Sequence, residues 1–319
     1  MPESIKKFIG SFSEFIITGH KEPDGDCIGS MFALESFLRE KLNKKTVLLS
    51  AGPFKRTEIK NYENKTVSTL PEWCSSKKTG LIIVDCTNRE RTGDISESLK
   101  DYRTMIIDHH ASNDSNEEAM FINSTSPAAV LLIQQIIEEM GYTPTKEQAK
   151  LLFFGLATDS GFFRHLDDTA SPVFEAAARL VSYGANPKEA FNAMNGGKSA
   201  NSRILISRIL SRLHFYYDNQ LAVSYETIDD TEKYGLEGRD SDMLYQLIQS
   251  IEGVEAIVII RQETETNCTV GFRSRDKVDV RLIAESFGGG GHKQAAGLSV
   301  EGTIKELEPE IVKRFEKSF

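Results

Sequence analysis

The sequence predicts an α/β protein: an N-terminal, mostly parallel sheet with helices on both faces, followed by a smaller C-terminal α/β domain. Three observations carry this. Short continuous apolar runs, Phe15-Ile16-Ile17-Thr18, Thr46-Val47-Leu48-Leu49, Leu81-Ile82-Ile83-Val84 and Thr104-Met105-Ile106-Ile107, read as strands buried on both faces, the habit of a parallel sheet. Stretches with helical apolar spacing lie between and after them. Three of the runs lead directly into acidic residues or histidine. In a parallel sheet, ligands bind beyond the carboxyl ends of the strands.

Taken in order, the strand at 15–18 passes through His20 and the turn Pro23-Asp24-Gly25-Asp26 into a helix over Ile28 to Leu42, with Met31, Leu34, Phe37 and Leu38 on one side. The second strand follows at 46–49. The third ends at Asp85 and the fourth at Asp108. Helices are expected at about Ala128 to Met140, Lys146 to Ala157 and Ser171 to Tyr183. Tyr183-Gly184-Ala185-Asn186-Pro187 stops the last of these, which places the end of the first domain at 186. Residues 187–214 read as a helical connector interrupted at Asn195-Gly196-Gly197. The second domain, 215–319, opens with a strand near Leu221 to Tyr225. It continues with a helix at Ser241 to Ser250 and strands at Ala256 to Arg261 and Cys268 to Phe272. A short helix, Val280 to Ser286, runs into a loop Gly288-Gly289-Gly290-Gly291-His292.

Composition narrows the function classes. A chain of 319 residues is long for one core and points to two domains. Its 39% hydrophobic and 27% charged residues are those of a soluble globular protein. No apolar run approaches a membrane span, and Met1 to Lys7 lacks the apolar stretch of a signal peptide, so the expected location is the cytoplasm, with no membrane partner. Cys27, Cys74, Cys86 and Cys268 form no C-x-x-C pair, which argues against structural zinc and for free thiols. A net charge of −9 argues against a duplex-DNA surface but is compatible with a short phosphorylated substrate.

Four stretches carry the chemistry: His20-Lys21-Glu22-Pro23-Asp24-Gly25-Asp26, Val84-Asp85-Cys86, Asp108-His109-His110 and Ala157-Thr158-Asp159-Ser160-Gly161. Buried carboxylates are unfavourable unless something positive pairs with them, and a pair of divalent cations is the simplest partner for so many acids. Carboxylate with imidazole suits Mn²⁺, with Mg²⁺ and Fe²⁺ as weaker candidates. Each piece alone has a plainer reading: Asp24 and Asp26 as turn formers or helix caps, Asp85 as a loop starter, Asp159 as a helix N-cap. All four in one α/β half, in this order, outweigh those readings.

These motifs, HKEPDGD, VDC, DHH and ATDSGFFR, resemble those of the DHH family of phosphoesterases. Val270-Gly271-Phe272-Arg273-Ser274 and Gly288 to Gly297 resemble the family's associated substrate-binding domain. The pairing looks most like the members that degrade oligoribonucleotides and dephosphorylate 3′-phosphoadenosine 5′-phosphate (pAp). The resemblance implies that His20 and Asp24 hold one ion, that Asp26, His109 and Asp159 hold the other, and that Asp85 bridges both. It also implies that His110 faces the scissile phosphate and that Asp108 orients its neighbours. Arg273, Ser274, Gly289, Gly290 and His292 would contact the far end of the substrate, joined by Arg164. Glu22, Cys27 and Ser160 depart from the usual family residues, and none is an implied ligand.

The function these features imply is hydrolysis of short RNA oligonucleotides and nucleotide bisphosphates, with two divalent ions, manganese before magnesium, activating a shared water. A cyclic or linear dinucleotide phosphodiesterase is the nearest alternative, and a catalytically inactive nucleotide-binding protein the alternative from another class. Inorganic pyrophosphatase shares the metal motifs but not the Gly-Gly-Gly-Gly-His run. Homodimerisation is left open.

Overall fold

The computed structural model describes residues 1–110, 117–235 and 238–319, and the chain divides into two units, Met1–Gly197 and Lys198–Phe319.

In the first unit a helix, α1 (Glu3–Ser11), precedes a sheet of five parallel strands. These are β1 (Glu14–Thr18), β2 (Lys45–Leu48), β3 (Thr79–Val84), β4 (Thr104–Asp108) and β5 (Ala119–Ile122), in the order β2-β1-β3-β4-β5. The first four are the apolar runs of the sequence. β5 and α1 have no counterpart in the sequence reading; the four residues of β5 are too few to show a period. Parallel pairing sets Ile17 opposite Ile82 and Ile83 opposite Ile106, so β1, β3 and β4 end side by side. The strand order reverses between β1 and β3, where such sheets bind ligands.

Both faces of the sheet are buried, which is why its strands are apolar throughout. Phe15, Ile17, Ile82, Val84, Met105 and Ile107 pack beneath α1, α2 (Gly25–Lys41), α3 (Ala129–Glu139) and α4 (Lys146–Asp159). On the other face Ile16, Leu81, Ile83 and Ile106 pack against Ile95, Leu99 and Tyr102. The cover there is a run of 3₁₀ turns over Glu90–Leu99, broken at Gly93, whose φ is 79°. Helices α5 (Ser171–Ser182) and α6 (Pro187–Asn195) complete the unit, so the expected connector is shared: α6 falls in the first unit and the next helix in the second.

Helices α2 and α4 meet backbone to backbone. A β-carbon on Gly29 would lie 2.7 Å from the Leu151 carbonyl oxygen, and one on Gly155 would lie 3.1 Å from the Asp26 α-carbon. This contact sets two acid-bearing helices against each other. Both are capped by their own sequence: Asp24 accepts from the amides of Asp26 and Cys27, and Thr145 with Gln148 forms a capping box. Because Asp24 caps it, α2 begins at Gly25, three residues before its apolar spacing becomes visible.

The second unit contains α7 (Ala200–Leu210), β6 (His214–Tyr216), β7 (Leu221–Glu226), α8 (Ile228–Tyr234), α9 (Ser241–Gln249), β8 (Ala256–Gln262), β9 (Asn267–Ser274), α10 (Val280–Glu285), β10 (Gly290–His292), β11 (Ala295–Glu301) and α11 (Ile304–Arg314). Its sheet runs β10-β11-β9-β8-β7-β6 and is antiparallel except between β7 and β8. Alternation along β9 buries Cys268, Val270, Phe272 and Ser274 on one face. Val258 and Val270 pack with Leu307 and Ile311, while Ile257 and Ile259 pack with Leu205, Leu244 and Tyr245 on the reverse. The glycine run differs from the expected loop. Gly290–His292 is an edge strand paired antiparallel with Ala295–Gly297.

The α2–α4 contact gives a direct test. Gly29→Ala should lower the stability of the first unit by about 1–3 kcal/mol through overpacking. Guanidinium unfolding followed by fluorescence of Trp73, the chain's one tryptophan, measures it. An unchanged midpoint would show that the helices separate freely.

Candidate metal centre

The parallel strands deliver the acidic residues to one edge of the sheet. His20 follows β1, Asp85 follows β3, and Asp108 is the last residue of β4. The first loop is pinned by its neighbours: Lys21 N–H donates to the Arg91 carbonyl at 2.7 Å and Glu22 N–H to the Gly52 carbonyl at 3.0 Å. Asp85 keeps its N–H in the ladder, donating to Ile107, while its φ of 56° turns the chain sharply away. A left-handed, non-glycine residue stores strain of order 1–3 kcal/mol and persists only where its surroundings hold it.

Asp85 occupies the middle of the site. It is 2% exposed. One oxygen, Oδ2, lies 3.5 Å from His20 Nε2, and the other, Oδ1, lies 3.3 Å from His109 Nε2. On the His20 side, Asp24 Oδ1 stands 3.8 Å from the same imidazole nitrogen. On the His109 side, Asp26 Oδ2 and Asp159 Oδ2 stand 3.8 Å and 3.2 Å from Nε2. The six residues expected to hold metal thus fall into two groups that share Asp85.

Each is held from behind. Asp26 is fully buried and accepts hydrogen bonds from Ala129 and Val130 N–H, at 2.5 Å and 2.9 Å, at the N-terminus of α3. Its plainer reading as a cap therefore also holds, but it caps a helix more than a hundred residues away. His109 Nδ1 is 3.2 Å from the Ser126 carbonyl, which turns Nε2 toward the acids. Asp108, fully buried, accepts from the backbone amides of His109 and His110 and lies 2.8 Å from His110 Nδ1. The His110 side chain is the most open of the group, at 37%.

Asp159 does not take its plainer reading as a helix N-cap: it is the last residue of α4, at the negative end of that helix. Beyond it Gly161, Phe162 and Phe163 all have positive φ, at 57°, 56° and 71°. Phe163 N–H donates to Ser160 Oγ, and the two rings pack edge to face 5.5 Å apart, which holds the turn. The amides of Ala129 and Val130 and the carbonyl of Ser126 belong to the site but not to any side-chain motif. Their only sequence signal is the Ser-Pro-Ala-Ala start of α3.

Charge crowding is severe. Burial and the charges of Asp85 and Asp159 push the Asp26 carboxyl well above its ordinary value. Burial, with Asp85 and Asp24, pushes Asp159 up to about 7. Burial acts to lower His20 and His109, yet their carboxylate neighbours outweigh it and raise them to about 10 and about 9. The imidazoles act as substitute cations. A bound cation would displace those protons, so binding competes with hydrogen ions.

The donors fit divalent ions. Asp85 Oδ1 and Asp108 Oδ2 are buried and accept no hydrogen bond from a described residue, a situation native structures avoid unless something else occupies the oxygen. His20, Cys27 and Asp85 bring ligand atoms within 4.8 Å of one another, as do Asp26, His109 and Asp159. Cys27 is a poor member: burial and the charges of Asp85 and Asp24 push its thiol far up, and it stays protonated.

The residues expected at the substrate are divided between the units. Arg164 follows the left-handed turn and its Nη2 would stand 3.2 Å from a β-carbon on Gly161. The others belong to the second unit. Arg273, Gly290 and His292 sit on β9 and β10. Gly289 has no room for a side chain, since a β-carbon would meet Leu298 at 2.5 Å. Ser274 is 6% exposed and gives its hydroxyl to the Val278 carbonyl at 2.7 Å, so that hydroxyl is engaged within the unit.

Comparison with known proteins agrees with this architecture. The DHH family N-terminal domain matches residues 14–156 and the DHHA1 domain matches 218–319. The bifunctional oligoribonuclease and PAP phosphatase NrnA of Thermus thermophilus is 29% identical over 90% of this chain and 84% of its own. The protein of the same name from Bacillus subtilis is 25% identical over 94% of this chain and 93% of its own. An exopolyphosphatase-related protein of Bacteroides fragilis superposes with a TM-score of 0.82 at 22% identity, over 98% of this chain and 95% of that one, which establishes the shared fold. With a DHH N-terminal domain, a DHHA1 domain and relatives along nearly its whole length, the chain belongs to the DHH family of phosphoesterases.

Proposed function

We propose that the protein is a two-metal phosphoesterase that hydrolyses short oligoribonucleotides and pAp, with Mn²⁺ as the preferred ion. One observation carries the reading: buried Asp85 turns one oxygen to each of two histidine–carboxylate groups, and one of those oxygens accepts no hydrogen bond from the described residues. The names of the Thermus and Bacillus relatives support the substrate class.

His20 and Asp24 would hold one ion, Asp26, His109 and Asp159 the other, and Asp85 both. When bound, the ions supply positive charge for the phosphoryl oxygens and acidify the attacking water. The chain's own residues do the rest. The α3 amides keep Asp26 aimed inward, and the Ser126 carbonyl keeps His109 Nε2 aimed at the carboxylates. Asp108 holds His110 through Nδ1, leaving Nε2 as the atom available to a phosphoryl oxygen or the leaving group. Arg273, Gly290 and His292, with Arg164, are assigned to the non-reacting end of the substrate, where arginine provides bidentate phosphate contact.

Asp85→Asn separates chemistry from folding. Turnover of pAp with Mn²⁺ should fall about a thousandfold. In EDTA the variant should melt no lower than the parent, because a crowded negative charge has been removed. Added Mn²⁺ should raise the parent's Tm and leave the variant's nearly unmoved. Near-normal turnover would end the bridging assignment.

Asp108→Asn should lower kcat 10- to 100-fold with KM little changed, the usual scale for a residue that orients a ligand or catalytic group. Substrate class is settled by kcat/KM across pAp, linear di- to pentanucleotides, cyclic dinucleotides and pyrophosphate with Mn²⁺. Highest values on pAp and the shortest RNAs are expected. Highest values on a cyclic dinucleotide would replace this reading, and equal signals with Mn²⁺ and EDTA would favour a binding protein.

A further inference from the structure

Arg273 is a flexible side chain, and its usefulness to a phosphate depends on what holds it still. In the second unit its guanidinium carbon stands 4.7 Å from the centre of the Tyr245 ring, and its Nη1 donates to the Phe272 carbonyl at 2.9 Å. Tyr245 is itself fixed. It is 6% exposed, projects from α9 into the core with Leu244, Ile248 and Ile257, and places its hydroxyl over Gly271, where any side chain would overlap it. Gly271 and Arg273 are two residues apart on β9 and so share a face of the sheet.

Strand register adds the second half of the arrangement. Arg273 pairs with Ala295 on β11, and Ala295 pairs with His292 on β10. Directly opposed residues on adjacent antiparallel strands point to the same side. Arg273, Ala295 and His292 therefore form one row, with about 10 Å between the outer backbones. The middle position is the smallest side chain that keeps a β-carbon. The row is a shallow bay with a guanidinium on one bank and an imidazole on the other. In the Gly290–Gly297–Gly271 row beside it, Gly290 and Gly297 leave their end open, while Tyr245 covers Gly271.

We propose that Tyr245 is a positioning residue for substrate: its buried ring holds the Arg273 guanidinium over the bay floored by Ala295, so that Arg273 and His292 together seat a terminal phosphate. This deepens the phosphoesterase reading and rests on it. A guanidinium stacked on an aromatic face keeps its planar fork in one orientation, and less freedom is lost when it grips a phosphate. An aliphatic residue of similar volume fills the same core space without holding the charge.

The test uses the full chain with Mn²⁺ and two substrates. One is pAp, which carries a terminal phosphate remote from the reacting one. The other is bis(p-nitrophenyl) phosphate, which carries none. Tyr245→Met and Tyr245→Leu should raise KM for pAp about tenfold with kcat within about twofold, while turnover of the chromogenic diester stays unchanged and reports an intact fold. Tyr245→Phe keeps the ring and should behave like the parent. In Arg273→Ala, which raises KM by itself, adding Tyr245→Met should change nothing further. An unchanged KM in the Met and Leu variants, an equal loss in the Phe variant, or a full additional loss on the Arg273→Ala background would each overturn the proposal. If Arg273→Ala leaves KM for pAp unchanged, the seat itself is absent and the Tyr245 role falls with it. If pAp is not hydrolysed at all while the diester is, the substrate reading fails first.

Discussion

Crowding of like charge around a single imidazole governs this structure. Carboxylate oxygens of Asp26, Asp85 and Asp159 stand 3.8, 3.3 and 3.2 Å from His109 Nε2. No folded chain gathers three acids, two of them buried, so closely for stability's sake. Their mutual repulsion and lost hydration oppose folding, and the protein alone relieves them only in part, by protonation and by hydrogen bonds. The surrounding fold reads as the means of tolerating that cluster. The parallel sheet sends β1, β3 and β4 to a common edge. The N-terminus of α3 offers two amides to Asp26, and its dipole favours an anion there.

The same demand explains the local irregularities. Asp85 leaves β3 in a left-handed conformation so that its side chain reaches between two histidines. Three consecutive left-handed residues follow Asp159, held by edge-to-face packing of Phe162 and Phe163. Helices α2 and α4 approach through Gly29 and Gly155 because a methyl group at either would push Asp26 and Asp159 apart. Each is unfavourable taken alone, and all lie within the segments that carry the acids. Strain concentrated in that way belongs to function rather than to folding.

How far the sequence disclosed this depended on which atoms were involved. Strands buried on both faces announce themselves as unbroken apolar runs, and four of the five were legible; β5, four residues long, was not. Side chains that carry chemistry were legible as motifs, so His20, Asp24, Asp26, Asp85, His109 and Asp159 were named from the chain and stand together in space. Backbone groups were not. The Ser126 carbonyl and the Ala129 and Val130 amides do as much to aim the site as any side chain, yet every residue has such groups. The end of α4 was read at Ala157, two residues short of Asp159, because it depends on the aromatic turn beyond it. The glycine run was misread because glycine alone does not reveal whether a neighbouring strand will pair with it.

The two units answer different physical problems, which bears on the substrate size in the proposed function. A net charge of −9 provides no general attraction for a polyanion, so each added phosphate of a long nucleic acid is repelled rather than gathered. Favourable contacts must then be local. They are the cation-hungry cluster of the first unit and the Arg273–His292 row of the second, and neither has an extended basic track among the motifs that define it. In the proposed function each of these anchors grips a single phosphate, and the further phosphates of a long strand meet only repulsion.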